Sequence, residues 1–214
     1  MTSLYRHSSL IALTSFTAAC AATPSTIDLS FSETFEASCL NEHRLDHDLL
    51  KEEAVRQSWQ PVSDDVHPEL DALTTIAREE FEDPDFPDMT MELATYQKQF
   101  GDQTLYLVLD RVSEPGLVTL GGCYLYDFDA TNLPDPAAIT SLLDHPFAYD
   151  TRVTGSDYYV DPSEMISVVW GPPKKYPRQF DTYLTLLPEG SPHTRKTGFS
   201  GVVLKTSQSE RRDE

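Results

Sequence analysis

Basic side chains are scarce in this sequence. Its 214 residues include 16 Lys and Arg against 35 Asp and Glu, which gives a formal net charge of −19. Proteins that bind nucleic acid, or the surface of an anionic membrane, do so through clustered Lys and Arg side chains. The pairs Lys174-Lys175 and Arg211-Arg212 are too short and isolated to form such a cluster. The sequence therefore predicts no nucleic-acid partner and no electrostatic binding to lipid.

The sequence also lacks the common signatures of enzyme active sites. It contains no Walker sequence, no dinucleotide-binding glycine pattern and no C-x-x-C pair. The stretch GFSG at 198–201 resembles the nucleophile elbow of serine hydrolases, but Val202 stands where that motif has its second glycine. These absences argue against the commonest enzyme classes, and we expect no cofactor.

Long apolar runs that could form a transmembrane helix are missing as well. The first 21 residues instead have the layout of a secretory signal, with a polar start at Arg6, a short apolar run and small residues around Cys20. A buried N-terminal helix is the alternative, but no charged residue occurs between Arg6 and Asp28. The sequence therefore predicts an exported protein, with residues 22–29 as a tether.

Cys20 has two alternative fates in an exported protein. Ala19-Cys20-Ala21 has the small-x-small form that signal peptidase accepts, which would leave Ala22 as the first residue. The same letters resemble a bacterial lipobox, in which the cysteine carries the lipid, although Thr17 stands where a lipobox favours leucine. The protein is thus predicted to be periplasmic or anchored to a membrane through this lipid alone.

The chain has only three cysteines. Either fate of Cys20 removes it from the pool of free thiols and leaves Cys39 and Cys123. Two remaining thiols in an oxidising compartment indicate one disulfide. Two separate buried thiols are the alternative.

Helix signals dominate the first part of the predicted domain. Ser30 and Glu33 form a capping box ahead of a short helix with Phe31, Phe35 and Cys39 on one face. A second helix is predicted over residues 46–58, with Leu49, Leu50, Ala54 and Val55 directed inward, and a third begins near residue 65.

Alternating apolar residues and turn signals then predict strands. Residues 89–100, 104–112 and 117–128 form an antiparallel meander whose middle strand is buried on both faces. A helix capped by Asp135 follows, and four more strands are predicted over 150–160, 164–171, 180–188 and 198–206. We therefore predict one α+β domain over residues 30–206, with N-terminal helices on a mainly antiparallel sheet, and a disordered tail over 207–214.

The stretch NEHRLDHD at 41–48 is the candidate for metal chemistry. His43 and His47 are four residues apart, the spacing of one helical turn, so both rings could reach one ion. Asp46 takes the place of the glutamate in the inverted zincin motif H-x-x-E-H, but its side chain is one methylene shorter. No third ligand can be named, so a solvated helix junction is the simpler interpretation and a metal-dependent hydrolase is the alternative function.

A row of aromatic residues is the candidate ligand surface. Tyr124, Tyr126 and Phe128 alternate on one face of a predicted strand, and Tyr106 is expected beside them on the neighbouring strand. Such rings form a flat, rigid surface for a ligand or a partner. Cross-strand packing beneath a helix is the alternative explanation for the same pattern.

The N-terminal third of the chain carries a family resemblance. FEASCL at 35–40 is followed by AVRQSWQPV at 54–62 and by one cysteine in the middle of the chain. This layout resembles a group of small exported proteins of alphaproteobacteria with no assigned function. Their F-x-x-x-C element and tryptophan correspond to Phe35, Cys39 and Trp59, with Cys123 as the second cysteine, while Ser58 replaces their usual glycine. The resemblance implies an exported location and a structural disulfide, and it implies no activity.

The sequence as a whole predicts an exported protein of the bacterial cell envelope. The absent motifs and the aromatic row favour a binding or accessory protein over an enzyme. Its partner is an unknown protein or small molecule.

Overall fold

Caps and turns divide the chain into five helices and eight strands within residues 30–81, 88–114 and 118–210, which are the residues that this computed structural model describes. The predicted signal segment 1–21 with Cys20 and the tether 22–29 lie outside them. The helices are α1 (Phe31–Cys39), α2 (His47–Arg56), α3 (Pro68–Phe81), α4 (Pro136–Leu143) and α5 (Thr194–Thr197). The strands are β1 (Gln60–Pro61), β2 (Thr90–Phe100), β3 (Gln103–Glu114), β4 (Val118–Asp127), β5 (Phe147–Asp150), β6 (Ile166–Trp170), β7 (Gln179–Leu187) and β8 (Gly201–Ser209).

All eight strands form one antiparallel sheet in the order β1-β2-β3-β4-β8-β7-β6-β5. The predicted meander is confirmed as β2-β3-β4, and residues 105–109 of its middle strand are all buried. The last strand, β8, pairs with β4 on one side and β7 on the other. The fold is therefore α+β, with a sheet whose two halves meet at the end of the chain.

Helices α1, α2 and α4 cover one face of the sheet, which we call the first face. They bring Phe35, Leu50 and Ile139 against strand residues such as Leu107 and Leu204 in one buried cluster. The predicted capping box of α1 is present, with the Ser30 backbone N–H donating to Glu33 at 2.8 Å. The Trp170 indole N–H donates to Thr140 of α4 at 3.0 Å, so a buried polar atom on this face is satisfied.

Helix α3 packs on the opposite face, which we call the second face. Leu70 of α3 lies in a separate buried cluster with Val108, Tyr126, Val203 and Phe199. The helices of the N-terminal part therefore lie on both sides of the sheet. Burying both faces explains why the central strands carry nearly continuous apolar runs instead of alternating ones.

The orientation of α2 differs from the prediction at two positions. Leu50 and Ala54 are buried as expected, but Leu49 is 38% exposed and Val55 is 55% exposed. The helix begins at His47 because Asp46 is its N-cap. A helix of ten residues buries a narrow stripe, and Leu50 and Ala54, four residues apart, occupy that stripe.

Two predicted boundaries in the C-terminal half are wrong. The strand expected over 150–160 is instead β5, at Phe147–Asp150. The Asp150 carboxylate accepts the backbone and side-chain N–H groups of Arg152 and so stabilises the turn that follows. Disorder was expected from residue 207, but β8 continues to Ser209 and Gln208 is only 1% exposed. Ser207, Gln208 and Ser209 are polar, so a hydrophobicity pattern does not predict a strand there. Backbone pairing with β4 and β7 holds these residues in the sheet.

The predicted disulfide joins Cys39, the last residue of α1, to Cys123 in β4. Their Cα atoms are 5.6 Å apart, both residues are fully buried, and 84 positions separate them in the sequence. The bond fastens α1 to the first face of the sheet. It is consistent with an extracytoplasmic location, where disulfides persist. Among the described residues, no helix is long and apolar enough to cross a membrane.

Replacing both cysteines by alanine should lower the free energy of unfolding by about 4–5 kcal/mol, because the bond closes a long loop in the unfolded chain. Urea unfolding of the double variant and of oxidised and reduced wild-type protein measures this difference. Reduced wild-type protein should unfold at nearly the same urea concentration as the double variant, and its intact mass should be higher than that of the oxidised form by two hydrogen atoms. Equal stability of oxidised and reduced wild-type protein would contradict the structural role of the bond.

Candidate functional site

The predicted aromatic row divides into a covered part and an open part. Tyr106 and Tyr126 are 7% exposed and Phe128 is 6% exposed. His67 stacks on Phe128 at 4.7 Å between ring centroids, and Phe199 meets Tyr126 edge-on at 5.3 Å. Tyr106, Tyr126 and Phe128 therefore belong to the core beneath α3, as the alternative of cross-strand packing predicts. Tyr124 remains partly open and lines a cleft.

This cleft lies between α3 and the second face of the sheet, and we call it the α3 cleft. Its volume is about 360 Å³, which is within the usual range for small-molecule sites. One wall is formed by α3 and the other by strand residues and Phe199. The apolar lining residues are Leu73, Ile76, Ala77, Leu93, Val108 and Phe199. On the strand side the lining includes Asp110, Tyr124 and Lys205, which we call the floor, and the largely buried Tyr126. Thr74 and Thr197 add hydroxyl groups from α3 and α5.

The position of α3 depends on a close contact with Gly198. This glycine has a positive φ of 83°, and a Cβ on it would lie 2.8 Å from the backbone nitrogen of Leu73. Any larger residue would therefore push α3 away from the sheet. Glu69 adds a second contact, since its carboxylate accepts hydrogen bonds from the Ser200 backbone N–H at 3.0 Å and the Ser200 hydroxyl at 2.6 Å. Both contacts hold the N-terminal half of α3.

A second cavity of about 490 Å³ adjoins these contacts, at the N-terminal end of α3. Two of its polar side chains, Glu69 and His67, contribute to holding α3. Glu69 is bound by Ser200, and the His67 ring nitrogen Nδ1 accepts the Glu69 backbone N–H at 3.3 Å while the ring packs on Phe128. The Ser200 hydroxyl donates to a carboxylate and has no histidine partner among the described residues. Glu69 and His67 thus hold the N-terminal end of α3 at the edge of this cavity.

The floor of the α3 cleft is produced by strand register. Val108, Tyr124, Lys205 and Tyr183 lie directly opposite one another on β3, β4, β8 and β7. Directly paired residues project to the same face of an antiparallel sheet. Lys205 is thereby placed between two tyrosines, with its ammonium 5.2 Å from the centroid of the Tyr183 ring.

Asp110 lies beside this row and is bound by Tyr124. The Tyr124 hydroxyl donates to Asp110 Oδ2 at 2.8 Å. Gly122 is the cross-strand partner of Asp110, and a Cβ there would collide with the Asp110 carboxylate and the Tyr124 ring. Glycine at this position leaves the space that the pair occupies. Burial raises the pKa of Asp110, and burial also raises the pKa of Tyr124 well above its usual value.

Lys205 is poorly solvated. Burial lowers the pKa of its ammonium, and attraction by Asp110 opposes this shift. Across the described part of the chain, no carboxylate forms an ion pair with it within 4.0 Å. A poorly solvated ionisable group beside an open cavity is typical of a functional site.

The proposed metal residues do not come together. Asp46 is the N-cap of α2, and its Oδ1 accepts the backbone N–H groups of Asp48 at 3.1 Å and Leu49 at 3.0 Å. His47 is the first residue of the helix and is buried, whereas His43 lies in the preceding turn beside Arg56. The two histidines are thus not on one helical turn. Within residues 30–81, 88–114 and 118–210, no group of three or more His, Cys, Asp or Glu could hold a metal ion.

Sequence reasoning missed Asp110 and Lys205. The only signal in the sequence is that each charge directly follows a mainly apolar run, in TLYLVLD and GVVLK. A charge in such a run is unusual unless it reaches a partner or an open surface. Only the pairing of β3, β4 and β8 shows that both residues share one cleft.

Comparison with known proteins identifies no relative. No protein-family model matches the sequence, and no match was found among curated proteins or solved structures. The resemblance to exported alphaproteobacterial proteins therefore stays a prediction. The function has to be argued from the α3 cleft itself.

The raised pKa of Asp110 predicts a pH-dependent effect of Asp110→Asn. A carboxyl with a higher pKa in the folded state contributes stability below its unfolded pKa of about 3.9 and loses it as the pH rises through the folded value. The variant lacks this loss while its amide oxygen can still accept the Tyr124 hydroxyl. The free energy of unfolding of the variant should therefore rise relative to that of wild-type protein as the pH increases above about 4. Urea unfolding across this range measures the difference, and a constant difference would contradict the prediction.

Proposed function

We propose that this protein is an exported binding protein of the cell envelope that takes a small, partly apolar molecule into the α3 cleft. The observation that carries the proposal is the floor of this cleft. Its apolar walls end on Asp110, Tyr124 and Lys205, which are desolvated and yet reachable from outside.

The energetics of the floor favour binding over a purely structural role. Burying a carboxyl and an ammonium without a direct ion pair costs stability, and apolar residues in the same positions would pack at lower cost. The first face of the same sheet has an apolar cluster instead. A few polar groups at the base of an apolar cavity are what orient a small ligand.

The disulfide supports the envelope location. Export through the predicted signal in residues 1–21 would place the folded domain in the periplasm, or at a membrane surface if Cys20 carries a lipid. The bond between Cys39 and Cys123 fits either of these oxidising environments. Both alternatives leave the cleft in the domain that follows the signal.

The probe N-phenyl-1-naphthylamine, a neutral apolar fluorophore, should bind the wild-type protein saturably at one site. Ala77→Trp places an indole in the cleft and should weaken this binding by at least about tenfold, or about 1.4 kcal/mol. Ala138→Trp is the matched control, because Ala138 is exposed on α4 at the other face of the sheet. Fluorescence titration measures all three proteins. Equal binding by the three, or no saturable binding, would contradict the proposed function.

Export predicts that the chain recovered from the envelope of the producing bacterium lacks the predicted signal. Its mature form should begin at Cys20 with attached lipid, or at Ala22 without it. Intact-mass measurement after cell fractionation identifies the first residue, and labelling with a radioactive fatty acid distinguishes the two forms. A cytoplasmic protein that retains residues 1–19 would contradict export.

A further inference from the structure

The ligand class of the α3 cleft follows from the state of Lys205, if the cleft binds a ligand as proposed above. We propose that this ligand is an amphiphilic carboxylate, an acid with a hydrocarbon body. Its carboxylate binds the Lys205 ammonium at the floor, and its body lies along Ile76, Ala77 and Leu93.

The Lys205 ammonium lines the cleft without being paired to another side chain of the described residues. An ammonium group has three N–H donors, and none of them has a hydrogen-bond or ion-pair partner among the described residues. The face of the Tyr183 ring, 5.2 Å away, offers a weaker electrostatic attraction on one side only. A carboxylate entering the cleft would offer acceptors to these donors and form short, charge-assisted hydrogen bonds.

Asp110 does not act as the hydrogen-bond acceptor of the Lys205 ammonium. One of its oxygens accepts the Tyr124 hydroxyl, and the other faces the backbone of Gly122 across the strand pair. Asp110 is held on the β3–β4 side of the cleft, whereas Lys205 extends from β8 toward Tyr183 on β7. The Lys205 ammonium is therefore available to a ligand in the cleft. The remaining negative charge on Asp110 opposes an anion, so removing it should strengthen binding of a carboxylate.

The walls suit a hydrocarbon. Helix α3 contributes Leu73, Ile76 and Ala77, and the strands contribute Leu93 and Val108. Two charged side chains line the remainder of the cleft, Lys196 at α5 and Glu80 near the end of α3. Lys196 and Glu80 are both exposed, so their opposite charges offset each other for an approaching anion and Lys205 supplies the positive group at the floor.

Three compounds with the same eight-carbon chain test the head group: octanoate, octanol and octylamine. Heteronuclear NMR titration of isotope-labelled protein, below the micelle concentration of each compound, gives the dissociation constants and the residues affected. Octanoate should bind in the α3 cleft at least about tenfold more tightly than octanol, and octylamine should bind most weakly. Octanol binding as tightly as octanoate would overturn the proposal. Tighter binding of octylamine would assign recognition to Asp110 and overturn it as well.

Two substitutions with opposite expected effects test the residue. Lys205→Met keeps the length and apolar packing of the side chain and should reduce octanoate affinity to that of octanol, while octanol affinity stays unchanged. Asp110→Asn should increase octanoate affinity. Lys51→Met is the matched control, because Lys51 pairs with Asp48 on α2, at the first face, and the variant should bind all three compounds as wild-type protein does. Unchanged octanoate affinity in Lys205→Met would overturn the proposal.

Failure of this inference differs from failure of the proposed function. Suppose that N-phenyl-1-naphthylamine binds saturably and Ala77→Trp weakens this binding, but octanoate is not preferred. This result would reject the carboxylate ligand and retain the α3 cleft as a binding site. If neither saturable probe binding nor a preference for octanoate is found, the α3 cleft is rejected as a binding site. The amide spectrum of each variant shows whether it folds, so weakened binding is attributed to the side chain only in a folded variant.

Discussion

The pairing of β8 with both β4 and β7 is the interaction on which the rest of the structure depends. The chain first builds a meander from β2, β3 and β4, and later builds the group of β5, β6 and β7. Only β8 joins these halves, through the backbone ladders on its two edges. The register of those ladders aligns Tyr124, Lys205 and Tyr183 in one row. Without this pairing there would be neither a continuous core nor a floor for the α3 cleft.

Strand alternation lets neighbouring residues of β4 serve different purposes. Cys123 projects to the first face, where its bond to Cys39 holds α1, whereas Tyr124 projects to the second face and binds Asp110. The disulfide and the apolar cluster beneath α1, α2 and α4 stabilise the strands on the first face of the sheet, opposite the cleft. A rigid floor of this kind keeps polar groups in place for a ligand, which reduces the entropy lost on binding.

The two faces of the sheet are covered to different extents. Three helices cover the first face, but on the second face α3 is held mainly at its N-terminal half, by Gly198 and by Ser200 bound to Glu69. The space left beside the remainder of α3 is the cleft. Lys205 is consequently shielded enough for its pKa to fall and still open enough to meet a small molecule. This combination of desolvation and access gives the site its chemical character.

Much of the local structure was determined by the sequence alone. The capping box of α1, the meander, the helix capped by Asp135 and the pairing of the two cysteines follow from periodicity, caps and the small number of thiols. Tertiary structure alone decided that β8 is central, that Tyr106, Tyr126 and Phe128 are covered, and that Asp110 and Lys205 line one cleft. The physical reason is range: caps and periodicity act over a few residues, whereas strand order and helix placement depend on the burial of the whole sheet.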